Sequence, residues 1–119
     1  MLPASVQCPK ESLKLIYRSA MGFMDEALPP ETTAQIAEIL ARYEKKGIRY
    51  HGLLTRQAGM RRFISLHLLV PGKKTIREGH DIAEEIEKRI IALHTPTTVI
   101  THIEPVEDRK SLEDIPLDR

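Results

Sequence analysis

Three of the five histidines lie in separate segments that are rich in apolar and β-branched residues. These are His51, His67 and His102, and Glu104 follows His102 by two residues. Side chains two residues apart in a strand leave the same face, about 6.5–7 Å apart along the chain. Imidazole and carboxylate are ligands that zinc and similar divalent ions accept. The spacing therefore predicts a site for one or two metal ions.

His80 is a further candidate ligand. It lies near the start of a helix opened by Thr75 and Glu78, whose spacing is that of a capping box. Because this helix begins near the rim of the sheet, we expect His80 to reach a site there. His94, near the end of the same helix, is expected to complement the helix dipole and has no predicted ligand role. The alternative is that the strand histidines are half-exposed residues paired with backbone or carboxylate groups.

Nucleophilic catalysis has no support in the sequence. Cys8 lies in an aperiodic lead-in, and Ser65 has neither an elbow motif nor an evident base. The chain also contains no glycine-rich phosphate loop. We therefore predict that the protein is not an enzyme.

Length and composition limit the class of protein. The chain has 119 residues, of which 41% are hydrophobic, which indicates one domain with a core of its own. Its 18 Lys and Arg residues against 17 Asp and Glu leave a net charge of +1, so nucleic acid is not expected as a partner. The apolar stretches are too interrupted to insert into a membrane, and the lone Cys8 and the missing signal peptide predict a cytoplasmic location.

Apolar spacing and turn residues divide the chain into three parts. Residues 1–28 form a lead-in and an N-terminal helix, 29–105 form the main domain, and 106–119 form a charged tail that we expect to be flexible. Pro29 and Pro30 end the first helix, and Gly47 ends the second. The predicted elements are, in order, helices over 11–28 and 30–47, strands over 48–55 and 63–70, a helix over 75–94 and a strand over 97–103.

This order predicts an α+β fold, an open ferredoxin-like αββαβ sandwich preceded by the extra N-terminal helix. Two helices pack on one face of a three-stranded sheet, whose first two strands form a hairpin. Alternation on the second strand directs one apolar set toward the helices and His67 toward the uncovered face. The apolar set consists of Ile64, Leu66, Leu68 and Val70. The uncovered face is a natural place for a partner subunit or a ligand.

Five short motifs carry a resemblance to a known family. They are FMDEALP from Phe23, HGLLTRQAG from His51, FISLHL from Phe63, EGHDIA from Glu78 and VITHIEP from Val99. In this order they resemble the cytoplasmic C-terminal domain of the cation diffusion facilitator, or cation efflux, family. Members of that family are proton-coupled exporters of zinc and related divalent metals. The resemblance extends from about residue 13 to residue 105.

The resemblance implies a homodimer with a metallochaperone-like fold that binds divalent metal and regulates an exporter. By motif, the family's ligands correspond to His51, His67, His80 and His102, with Glu104 at a carboxylate position that is aspartate in some relatives. Zinc is the expected metal, and the membrane domain of an exporter is an expected partner. Because this chain has no such domain, transport is not expected of it alone. The competing hypothesis is a ferredoxin-like module, either structural or regulatory with a small-molecule ligand, in which the histidines are incidental.

Overall fold

The computed structural model describes residues 10–16 and 26–108. The predicted flexible tail, apart from residues 106–108, lies outside the described residues. No helix in the described part of the chain is long and apolar enough to span a bilayer. The elements are helix α1, described over residues 10–16, α2 (Pro30–Ala41), a 3-10 turn (Glu44–Lys46), β1 (Arg49–Ala58), β2 (Arg61–Val70), α3 (Ile76–Ile91) and β3 (Thr97–Pro105).

Helix α3 begins at the predicted capping box. The Thr75 side chain accepts a hydrogen bond from the Glu78 N–H at 3.1 Å, and the Glu78 carboxylate accepts one from the Thr75 N–H at 3.0 Å. Helix α2 starts at Pro30, where the missing N–H removes no helical hydrogen bond. It ends earlier than predicted, at Ala41, and the 3-10 turn follows before Gly47 takes a φ of +79°. Helix α3 likewise ends at Ile91, before the predicted His94.

Strand β2 lies at the centre of the sheet. It pairs antiparallel with β1 and parallel with β3, as a hairpin followed by a helical crossover requires. The hairpin strands are longer than predicted, because their pairing continues to Ala58 and Arg61. The turn between them is therefore reduced to Gly59 and Met60, with Gly59 at a φ of +61°.

Helices α2 and α3 cover one face of this sheet, as predicted. The apolar set of β2 points into the layer between sheet and helices and is almost completely buried, which confirms its predicted orientation. Side chains on the other face remain accessible: Leu54 on β1 is 47% exposed and Ile100 on β3 is 64% exposed. We call this second surface the open face.

The N-terminal helix was predicted to continue to Leu28, and this prediction is wrong at its C-terminal end. Residues 10–16 are helical, but Glu26 forms an isolated antiparallel bridge with Gln57 of β1. The Leu28 N–H donates to the Thr55 hydroxyl, and the Leu28 side chain is buried in the core. The segment is extended because pairing with β1 satisfies its backbone and brings Leu28 into the core. Residues 17–25 of the predicted helix lie outside the described residues.

Candidate metal site

The sheet register places three histidines side by side. His51 of β1 pairs with His67 of β2, and His67 is also the register partner of His102 on β3. Their imidazole ring centroids are 4.7 Å apart for the first pair and 5.1 Å apart for the second. All three side chains lie on the open face, opposite the buried apolar set of β2. The uncovered face thus carries a row of imidazoles across the full width of the sheet.

Glu104 brings a carboxylate to the same row. It lies two residues beyond His102 on β3, so its side chain shares the open face. Its Oε1 atom is 2.7 Å from His67 Nδ1 and 3.1 Å from His102 Nδ1, and its Oε2 atom is 3.4 Å from His51 Nε2. The Glu104 side chain is only 17% exposed. One carboxylate therefore contacts all three imidazoles.

A β-bulge in β1 decides which of its side chains join the open face. Gly52 and Leu53 together oppose a single residue of β2, between the pairs formed by His51 and Leu54. Strict alternation would have put His51 and Leu53 on one face. The extra residue instead directs Leu53 toward the core and places both His51 and Leu54 on the open face. The bulge was not predicted from the sequence, although a glycine inside a strand is its usual signal.

These donors can hold a divalent ion. One donor atom from each of His51, His67 and Glu104 can be chosen so that the three atoms lie within 4.8 Å of one another. Their nitrogen and oxygen atoms suit zinc and related ions, whose bonds to these atoms are about 2.0–2.2 Å long. His102 lies at the rim of the group, with a side chain 68% exposed, and contacts Glu104 directly. The strand histidines predicted as ligands are thus brought together with the predicted carboxylate.

The remaining two histidines have other surroundings. His80 is exposed on α3 and does not belong to the close donor group found among the described residues. Its assignment as a ligand therefore stays a prediction. His94 lies past the end of α3, where its Nε2 is 3.0 Å from the Met60 carbonyl oxygen of the hairpin turn. This contact ties the hairpin turn to the end of the helix.

Two depressions adjoin the histidine row. A groove of about 220 Å³ continues along the open face toward the hairpin turn, and the Arg56 guanidinium lies 4.2 Å from the Phe63 ring centroid at its far end. Its lining includes Leu54, Phe63 and Ile100. A second cavity of about 350 Å³ lies beside the start of α3 and reaches Glu104 from the other side. The candidate metal site thus adjoins an apolar groove on the open face.

The class of protein is defined by a small αββαβ sandwich that carries a cluster of imidazoles and a carboxylate, groups able to ligate metal, on the open face of its sheet. The chain belongs to the cation efflux protein family and matches the cytoplasmic domain of that family. The model of that family matches residues 28–106. The match begins at the buried Leu28 and ends just after β3, so it includes both sheet-covering helices and the complete sheet.

Relatives with assigned names support this membership. The chain is 45% identical over 97 residues to the uncharacterized transporter sll1263 of Synechocystis sp., an alignment that covers 82% of this chain. It is 35% identical over 95 residues, or 79% of this chain, to the cation-efflux pump FieF of Cronobacter sakazakii. In both cases the alignment covers 31% of the relative. The chain therefore spans about a third of the length of these curated relatives.

Solved structures share the fold. The transporter CzrB, in a structure described as its Zn form, is 33% identical with a TM-score of 0.56, and the match covers 72% of this chain and 98% of that one. The metal-bound C-terminal domain of the CzcD transporter from Thermotoga maritima has a TM-score of 0.60 at 22% identity, covering 66% of this chain and 92% of that one. The second likeness shows a common fold alone. Both confirm the predicted α+β architecture.

Proposed function

We propose that this protein is a zinc-binding, homodimeric regulatory module of a cation exporter. The observation that carries the proposal is the single carboxylate of Glu104 in contact with His51, His67 and His102. Metal bound on the open face links the three strands to one another. It also lies on the surface through which a second protomer can approach. Binding of metal and association of protomers are therefore coupled, which gives an exporter a means of sensing the metal it removes.

The choice of zinc rests on the donor set together with a similar structure. Imidazole nitrogen and carboxylate oxygen suit zinc, as they suit iron, nickel and copper. The similar CzrB structure, 33% identical to this chain, is a Zn form and favours zinc. The proposed ligands are His51, His67, His80, His102 and Glu104, of which His80 alone comes from a helix.

Zinc titration of the metal-free protein by calorimetry tests the site directly. We expect saturable binding by the unmodified chain, and weaker binding when His67 and His102 are both replaced by alanine, because two nitrogen donors are lost. His94→Ala is a matched control, since His94 contacts Met60 and lies away from the row. His80→Ala in the same series tests the helix ligand. Unchanged affinity in the double variant would contradict the site and favour a module with incidental histidines.

The pH dependence of zinc binding gives an independent test. A metal binds the neutral imidazole and must displace protons from the protonated form, so affinity should fall as the pH is lowered from 7.5 to about 5. Titrations in buffers of different ionisation enthalpy will also show proton release that increases toward the acid end of this range. Affinity that stays constant across the range would mean that histidines are not the ligands.

A further inference from the structure

The extra residue in β1 is not needed by the sheet. Pairing is regular on both sides of it: His51 faces His67 before the bulge, and Leu54 faces Ser65 after it. Only Leu66 lies between those partners on β2, whereas β1 has two residues there. A chain without Gly52 can therefore keep every one of these pairs in a continuous ladder. A β-bulge changes the direction of neighbouring side chains. The residue that directly precedes this bulge on β1 is His51.

Gly52 also leaves space for the ring of His67, the central residue of the histidine row. Its φ is +62°, a conformation that residues with a side chain rarely adopt. A Cβ at this position would lie 3.1 Å from His67 Cδ2 and 3.8 Å from His67 Nε2. The His67 ring cannot retreat freely, because its Nδ1 is held 2.7 Å from the Glu104 carboxylate. The missing side chain of Gly52 thus leaves the space that the imidazole occupies.

From these two observations we propose that Gly52 is a positioning residue for the metal cluster. It is not a ligand. The bulge that it forms bends β1 beside His51 and so changes the direction of that side chain without changing its pairing partner. Its missing Cβ leaves the His67 ring its space. The inference rests on the proposed function, because it assigns Gly52 a role in that same metal site.

Two variants separate positioning from sheet stability. Deletion of Gly52 keeps all proposed ligands and completes the ladder, and Gly52→Ala keeps the bulge but places a methyl group against the His67 ring. We expect zinc affinity to fall about 10- to 100-fold in the deletion variant and about tenfold in Gly52→Ala, the range found when groups that orient metal ligands are removed. The visible spectrum of the cobalt-loaded protein should change in both, since it reports ligand geometry.

Gly59→Ala is the matched control. Gly59 has nearly the same φ, +61°, but lies in the hairpin turn, beyond the strands that carry the histidine row. It should lose a similar amount of stability to urea without metal, while its zinc affinity and cobalt spectrum stay those of the unmodified chain. If both Gly52 variants bind zinc with unchanged affinity and spectrum, the inference is wrong although the metal site stands. If the unmodified chain binds neither metal, it is the proposed function that fails.

Discussion

Glutamine in place of Glu104 is expected to lower zinc affinity about 100-fold. The carboxylate contacts three imidazoles at 2.7–3.4 Å, so an ion among these donors depends on it both for charge and for an oxygen ligand. Structural zinc sites of four ligands contribute roughly 10–16 kcal/mol, or about 3 kcal/mol per ligand, and 1.4 kcal/mol corresponds to a factor of ten. Glutamine preserves the shape of the side chain but removes its charge. Competition titration against a chelator of known affinity measures the change.

Glu84→Gln is the control for this substitution. Glu84 is an exposed carboxylate on α3 that lies 3.6 Å from Lys88, so its replacement removes the same charge away from the row. Zinc affinity should remain unchanged in this variant. A decrease of less than about threefold for Glu104→Gln, or an equal decrease for both variants, would remove Glu104 from the proposed ligand set.

Glutamate in place of Ile100 is expected to convert a dimer into a monomer. If two protomers meet through their open faces, a two-fold axis brings the same apolar surface of each together. Ile100 is 64% exposed there and lines the same groove as Leu54. A carboxylate buried at this position without a partner is strongly unfavourable. Light scattering at micromolar concentration should give twice 13.6 kDa for the unmodified chain and 13.6 kDa for the variant.

Met60→Glu serves as the control for assembly. Met60 is 74% exposed, but it lies in the hairpin turn at the end of the sheet. This variant should retain the mass of a dimer. A monomeric mass for the unmodified chain, with and without zinc, would contradict the proposed module. A dimeric mass for Ile100→Glu would place the interface on another surface.

The sequence alone was sufficient to predict several local features. Alternation along β2 correctly placed His67 opposite the buried apolar set, and the two-residue spacing correctly put His102 and Glu104 on one face. The Thr75–Glu78 capping box was also correct. These features depend on the geometry of a single strand or helix turn. Residue spacing therefore predicts them without knowledge of distant parts of the chain.

The order of the histidines across the sheet was decided by the tertiary structure. His51, His67 and His102 share one register row because hydrogen bonds join strands that are far apart in the sequence. Spacing within each strand does not specify that lateral alignment. The extended segment at Glu26, predicted as helix, has the same origin, because its hydrogen-bond partner lies on β1.

The bulge at Gly52 also depends partly on the local sequence and partly on contacts with another strand. The sequence supplied a glycine that tolerates a positive φ, but it did not show whether β1 would pair regularly through it. Pairing with β2 on both sides, and the His67 ring lying against Gly52, accommodate the extra residue. Residue types and spacing therefore determined which groups can bind metal. Contacts between strands decided where those groups meet, because register and bulges depend on hydrogen bonds and packing between distant residues.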